Sequence, residues 1–220
     1  WAETGNSEVG HLNLGAGKII YQYFPRISLA ISDGSFLKNP ALLKSFEHAK
    51  KNNSSVNLVG LLSKGSVHSS LEHLNALIKF AKDSGVKINL HLFTDGRDSP
   101  PNSAMELLSQ LPEGLDNLAS LSGRFYAMDR DNQWKRTETV YNLLLGQGES
   151  IAKESVEEHL KKTYAKNLND EYIEPVLVGE KRPVQDNDSI IFFNFREDRM
   201  KQIASAFILK DFDKFERKPL

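Results

Sequence analysis

Val86-Lys87-Ile88-Asn89-Leu90-His91-Leu92-Phe93-Thr94-Asp95-Gly96-Arg97-Asp98-Ser99-Pro100-Pro101 is an apolar run that stops in a polar turn. Val86 to Phe93 has the length and composition of a buried strand. Asp95-Gly96 punctuates it, and Pro101 suits the first position of a helix carrying Ala104, Leu107, Leu108 and Leu111. The same unit recurs on both sides. Upstream, Ser55 to Leu62 reads as a buried strand ended by Ser63-Lys64-Gly65-Ser66. A helix follows over about Ser70 to Ser84, with Leu71, Leu74, Leu77, Ile78 and Ala81 on one face and Gly85 as its stop. Earlier still, Asn39-Pro40 opens a helix with Leu42, Leu43, Phe46 and Ala49 at helical spacing. Downstream, Leu118 to Ser122 is a third strand, followed by helices over about Asn132 to Leu145 and Ile151 to Tyr164. Ser189 to Phe193 is the fourth strand, and it leads into a helix over Met200 to Leu209. Strands alternating with helices predict an α/β fold, a largely parallel sheet flanked by helices.

Bulk composition removes several function classes. The 220 residues carry 28 basic and 29 acidic side chains, a net charge of -1. That balance calls for neither nucleic acid nor a membrane surface. The absence of cysteine excludes disulfides, thiolate metal sites and thiol catalysis, and is compatible with a reducing cytoplasm. No apolar run approaches the roughly 20 residues that span a bilayer, and no signal peptide opens the chain. A first residue of Trp1 and a last stretch of Glu216-Arg217-Lys218-Pro219-Leu220 read as a piece of a longer protein.

The polar residues collect where the strands end. Ser63 and His68 follow the first strand, Arg97 and Asp98 the second, Arg124 and then Arg130 the third, and Arg196 and Arg199 the fourth. Ligands of open parallel sheets bind at the carboxyl ends of the strands. This placement aims five arginines and a histidine at one crevice. The planar arginine fork matches phosphate or carboxylate with two parallel bonds, which lysine cannot do. Arg196 and Arg199 are three apart; on a helix they would share a face. Each arginine alone could be a surface ion pair with Asp129, Asp131, Glu197 or Asp198. Their recurrence at four successive strand ends favours a shared anion. His11, His48, His73, His91 and His159 lack metal-ligand spacing. Phe192, Phe193, Phe195 and Trp134 read as core.

A glycine-rich stretch near the start, Gly5-Asn6-Ser7-Glu8-Val9-Gly10-His11-Leu12-Asn13-Leu14-Gly15-Ala16-Gly17-Lys18, stands apart. A serine there, just before a helix, would sit among unpaired backbone N–H groups that attract anions. Ser7 therefore reads as a nucleophile that accepts a phosphoryl group; Asn6 or Ser7 as a plain helix cap is the competing reading. A nucleotide phosphate loop is excluded because Gly17-Lys18 is followed by Ile19 rather than Ser or Thr. A nucleophile elbow is excluded because Val9 stands where its second glycine belongs.

Four of these stretches resemble the 2,3-bisphosphoglycerate-independent phosphoglycerate mutases. They are Gly5 to His11, Asp95-Gly96-Arg97-Asp98-Ser99-Pro100-Pro101, Gly123-Arg124-Phe125-Tyr126-Ala127-Met128-Asp129-Arg130-Asp131, and Phe193-Asn194-Phe195-Arg196-Glu197-Asp198-Arg199. The resemblance implies an isomerase that interconverts 3- and 2-phosphoglycerate through a phosphoserine intermediate. It implies that Ser7 is the phosphoryl acceptor and a ligand to one of two Mn²⁺ ions. His68, Arg97, Asp98, Arg124, Arg130, Arg196 and Arg199 would hold the phosphoglycerate, with Asp98 as base or acid at the glycerate hydroxyls. Residues 1–20 would be the edge of an alkaline-phosphatase-like metal domain, and 21–220 the inserted transferase domain of a two-domain enzyme. A serine hydroxyl needs a base or metal to activate it; no base stands beside Ser7, and most metal ligands would lie outside this chain. The fragment alone is expected to be inactive, and the intact enzyme a cytoplasmic monomer acting on a small molecule, with no nucleic acid or membrane partner. Around His68, Ser63-Lys64-Gly65-Ser66-Val67-His68-Ser69-Ser70 departs from the family, which has an acidic residue and two glycines before the histidine and a second histidine after it. Two other readings remain: a non-catalytic module for phosphorylated acids, and another phosphatase or phosphotransferase of the same superfamily.

Overall fold

Strand polarity and burial follow from the apolar runs. The strands are Ser55–Leu62 (β1), Lys87–Thr94 (β2), Leu118–Gly123 (β3), Ser150–Ile151 (β4), Val176–Val178 (β5) and Ser189–Phe192 (β6). The computed structural model describes residues 7–217, with side chains from Gly10 onward. Among the described residues the strands form one six-stranded sheet in the order β4-β5-β3-β2-β1-β6. β3, β2, β1 and β6 run parallel; β5 pairs antiparallel to β3, and β4 runs with β5. The expected largely parallel α/β sheet is present, extended by an antiparallel edge that the sequence reading did not include.

The helices are Ser7–Ala16 (α1), Tyr23–Ser32 (α2), Pro40–Asn52 (α3), Leu71–Ser84 (α4), Ala104–Leu108 (α5), Arg124–Ala127 (α6), Trp134–Leu144 (α7), Val156–Tyr164 (α8) and Lys201–Ile208 (α9). Two apolar layers sandwich the sheet. Val56, Leu58, Leu62, Leu90 and Leu92 pack with Phe46, Leu74, Leu77, Leu108 and Leu160 on one face. Val59, Leu61 and Phe93 pack with Tyr141, Leu144, Met200 and Ile203 on the other. Alternate residues of β1 thus serve opposite layers, the period of two that a doubly covered strand requires. The second face also carries a polar crossbar, in which His91 bonds Ser120 Oγ (2.8 Å) and Asn57 Oδ1 (3.3 Å). Burial pushes the His91 imidazole down to about 3, so it is a neutral structural group.

Several local expectations are corrected. Pro101 sits in a turn, and α5 starts later and is short; the Asp170 carboxylate accepts the Ser103 and Ala104 N–H groups (2.7 and 2.8 Å) at its start. The helix expected from Ile151 begins at Val156, because Ile151 is drawn into β4 beside β5. Arg196 and Arg199 lie in the loop before α9 and share no helix face. Trp134 is half-buried at the edge, its ring 5.8 Å from that of Phe212. Among the described residues no helix is long and apolar enough to cross a membrane.

Candidate functional site

Register decides which residues meet. Leu62 of β1 is level with Thr94 of β2, and Thr94 with Gly123 of β3. The next residues, Ser63, Asp95 and Arg124, therefore leave the sheet side by side. Ser63 Oγ donates to Asp95 Oδ2, and Arg124 Nη1 donates to Asp95 Oδ1, both at 2.6 Å. Asp95 Oδ1 also accepts the backbone N–H groups of Arg97 (3.2 Å) and Asp98 (3.0 Å), which folds the turn after β2. Gly96 holds φ +72° in that turn, a left-handed conformation that favours glycine.

The turn presents Asp98 to a histidine and an arginine. Its Oδ2 lies 2.7 Å from His68 Nδ1 and 3.0 Å from Arg124 Nη1. A Cβ at Gly65 would come within 2.6 Å of the Asp98 carbonyl oxygen, so the loop after β1 rests directly on the Asp98 backbone. Burial alone would raise the Asp98 pKa. The His68 hydrogen bond and the Arg124 guanidinium outweigh it and hold the carboxyl down at about 2. Asp98 is thus an ionised hydrogen-bond acceptor at neutral pH.

His68 also joins two loops. Its carbonyl accepts the N–H of Phe195 (3.0 Å), which ties the loop after β6 to the loop after β1. Its Nε2 is buried without a hydrogen-bond partner and faces Asp198 Oδ1, equally unpartnered, across 3.8 Å. Asp198 Oδ2 accepts from Arg130 Nη1 (3.0 Å). Arg196 Nε lies 3.2 Å from Asp198 Oδ1, an ion-pair contact outside hydrogen-bond geometry.

The remaining cations surround this centre. Arg199 Nη1 donates to the Met128 carbonyl (3.3 Å). Burial lowers the Arg199 pKa, Arg130 and Arg124 push it the same way, Asp198 opposes, and Arg97 adds to the lowering. After burial, the like charges of Arg130, Arg124 and Arg97 thus bear on Arg199, offset in part by Asp198. Arg97 reaches out to Glu171 (3.3 Å) at the exposed rim. The loop bearing Arg130 is set by buried Asp129, whose carboxylate accepts from the Asp131 and Gln133 N–H groups, Arg136 and Gln202.

His68, Asp98 and Arg124 are in direct contact, Arg130 and Arg196 meet through Asp198, and Arg199 and Arg97 lie within electrostatic reach. The Ser7 side chain lies outside the described residues, although α1 opens at Ser7. Sequence reading took Asp95 only as part of a turn and Asp198 only as a pairing partner. Its place immediately after a strand, level with its neighbours' ends, is the signal that could have singled out Asp95. Among the described residues no three His, Asp or Glu side chains gather to hold a metal ion. The chemistry on offer is recognition of a small, multiply charged anion beside an ionised carboxylate.

The family model described as BPG-independent PGAM N-terminus matches residues 27–220. The 2,3-bisphosphoglycerate-independent phosphoglycerate mutase of Clostridium perfringens (strain SM101) is 47% identical to the chain, over 99% of the chain and 44% of that protein. The protein of that name from Methanococcoides burtonii is 46% identical, over 98% of the chain and 44% of its own length. A crystal structure of Leishmania mexicana phosphoglycerate mutase at low cobalt concentration superposes with a TM-score of 0.85 at 30% identity, over 98% of this chain and 43% of that one. The chain spans less than half the length of these relatives. The family model over most of the chain, the relatives and the structural match lead to one conclusion: the chain belongs to the BPG-independent phosphoglycerate mutase family and corresponds to its N-terminal part.

Proposed function

We propose that this chain is the phosphoglycerate-holding part of an isomerase that interconverts 3-phosphoglycerate and 2-phosphoglycerate in glycolysis and gluconeogenesis. The phosphoryl group would pass through Ser7, without 2,3-bisphosphoglycerate. The observation that supports the reading is the gathering of Arg124, Arg130, Arg196 and Arg199 around Asp98 and Asp198 at the strand ends, where burial first and then the charges of Arg130, Arg124 and Arg97 lower the Arg199 pKa. A phosphate bearing about -1.5 to -2 charges, joined to a carboxylate, offsets those like charges.

In this reading Arg130, Arg196, Arg199 and Arg97 clamp the anionic groups, and His68 orients Asp98 through Nδ1. Asp98 accepts a hydrogen bond from the glycerate hydroxyl. Its low pKa makes it a weak base in the resting arrangement; drawing Arg124 or His68 toward substrate would raise it toward the range useful for proton transfer. Residues 1–20 form the edge of a metal domain that brings Ser7 to the crevice, and 21–220 form the transferase domain. When bound, two Mn²⁺ ions would supply activation of the serine hydroxyl. The described residues offer no gathered ligand set for them, so this chain contributes binding, orientation and the hydroxyl proton's acceptor. The whole protein works as a cytoplasmic monomer, and the 220-residue chain alone is inactive.

The test is phosphorus NMR of 3-phosphoglycerate with the full-length protein and Mn²⁺. Wild type forms 2-phosphoglycerate, and Ser7→Ala forms none. Isomerisation at the wild-type rate in Ser7→Ala overturns the reading. If the full-length protein binds phosphoglycerate without isomerising it, the non-catalytic binding module becomes the better description.

A further inference from the structure

Buried polar atoms nearly always find hydrogen-bond partners. His68 Nε2 and Asp198 Oδ1 are exceptions, and they face each other across 3.8 Å at the centre of the arginine cluster. Asp198 is also the carboxylate that Arg130 and Arg196 hold, at 3.0 and 3.2 Å. An acidic side chain thus stands between two arginines and a histidine, with Oδ2 hydrogen-bonded to Arg130 and Oδ1 hydrogen-bonded to none of them. Oδ1 lies 3.2 Å from Arg196 Nε and 3.8 Å from His68 Nε2 without a hydrogen bond to either, so the Asp198 carboxylate leaves Arg196 for another anion to satisfy.

We propose that Asp198 is an internal counter-ion that occupies the anion position in the free protein and is displaced by the substrate, so that it sets the affinity of the crevice. This rests on the anion-binding reading above and deepens it. While engaged, Asp198 offsets the repulsion among the arginines. When a phosphate enters, Arg130 and Arg196 exchange partners and the Asp198 carboxylate withdraws toward solvent. Apparent affinity is reduced by the fraction of molecules in which the position is already taken. Two half-exposed ion pairs hold Asp198, each a preference of about threefold. The combined weakening is therefore about tenfold. Losing the alignment that Asp198 gives Arg130 and Arg196 works against this, but half-exposed arginines gain little from such alignment. Removal of the competitor wins.

Calorimetric titration of 3-phosphoglycerate, and separately of inorganic phosphate, into the full-length wild type, Asp198→Asn and Asp198→Glu tests this. Asp198→Asn is expected to bind both about tenfold more tightly, and Asp198→Glu, which restores a carboxylate, to return toward wild type. Unchanged or weaker binding of phosphate and phosphoglycerate by Asp198→Asn overturns the proposal, as does equal tightening in Asp198→Glu. If wild type binds inorganic phosphate but not phosphoglycerate, the phosphoglycerate reading fails while the phosphate comparison still decides the role of Asp198. If none of the three proteins binds either probe, both proposals fall. Urea midpoints of all three separate a folding defect from a binding effect, and Asp198→Ser, which also removes the carboxylate, repeats the test should Asp198→Asn fold poorly.

Discussion

Two arginine–aspartate arrangements lie on either side of the His68 ring and behave as opposites. Arg124 with Asp95 and Asp98 is the inner one; the Arg124 and Asp95 side chains are 3% and 0% exposed. Arg130 and Arg196 with Asp198 are the outer one, with the two arginines 49% and 51% exposed. The inner charges are out of water, where breaking a pair leaves an uncompensated ion. The outer charges keep much of their hydration and exchange partners cheaply. The difference separates two kinds of charge: the inner arrangement builds the strand-end turns, and the outer one keeps its arginines accessible to solvent.

The contrast can be broken most severely at Arg124. Arg124→Ala strands two carboxylates in the interior, and urea unfolding is expected to show a loss of about 3–5 kcal/mol. A loss below about 1 kcal/mol, the size of a surface pair, would erase the distinction between inner and outer arrangements.

Acid provides the next largest effect. The Asp98 carboxyl is held at about 2, below its ordinary 3.8. A depressed carboxyl contributes stability that is fully present above the unfolded pKa and is lost as pH falls through the folded one. The loss is expected between roughly pH 4 and pH 2 and amounts to about 2 kcal/mol. His73 and His91, pushed by burial to about 4 and about 3, also titrate in acid. The difference between wild type and Asp98→Asn in a series of urea titrations across that range isolates the carboxyl. Parallel curves for the two proteins would show that Asp98 is not held down by its partners.

The smallest effect on stability belongs to the outer arginines. Arg130→Ala and Arg196→Ala should each change unfolding free energy by less than about 1 kcal/mol. Under the proposed function, each should still weaken 3-phosphoglycerate binding by roughly tenfold or more, the scale of one lost charge-assisted bond. Calorimetry and urea unfolding on the same samples give both numbers. Destabilisation comparable to that of Arg124→Ala would place these residues in the scaffold.

The parallel strands and their polar ends were readable because a doubly buried strand must be a continuous apolar run. β1 matches the expected Ser55 to Leu62, and β2 is displaced by one residue at each end. The antiparallel edge was not readable. β4 and β5 are two and three residues long, too short to display a period. α5 was misplaced because the group at its start, Asp170, comes from more than sixty residues downstream. The helix supposed for Arg196 and Arg199 failed because Phe195 N–H is taken by the His68 carbonyl, a partner in a distant loop.

What the chain carried by itself was the set of charged residues following each strand, since apolar periodicity and local turn chemistry act over a few residues. From these came the α/β class, the arginine cluster and the family resemblance. Only the tertiary structure distinguished a buried Arg124 from a half-exposed Arg130, or placed Asp95 and Asp198 at the middle of the site. Burial and the distance between charges decide what an ionised group does, and both depend on strand register and on loops that meet far along the chain. Asp95 is a fully buried part of the scaffold and Asp198 is partly exposed between two accessible arginines, although both are the same amino acid.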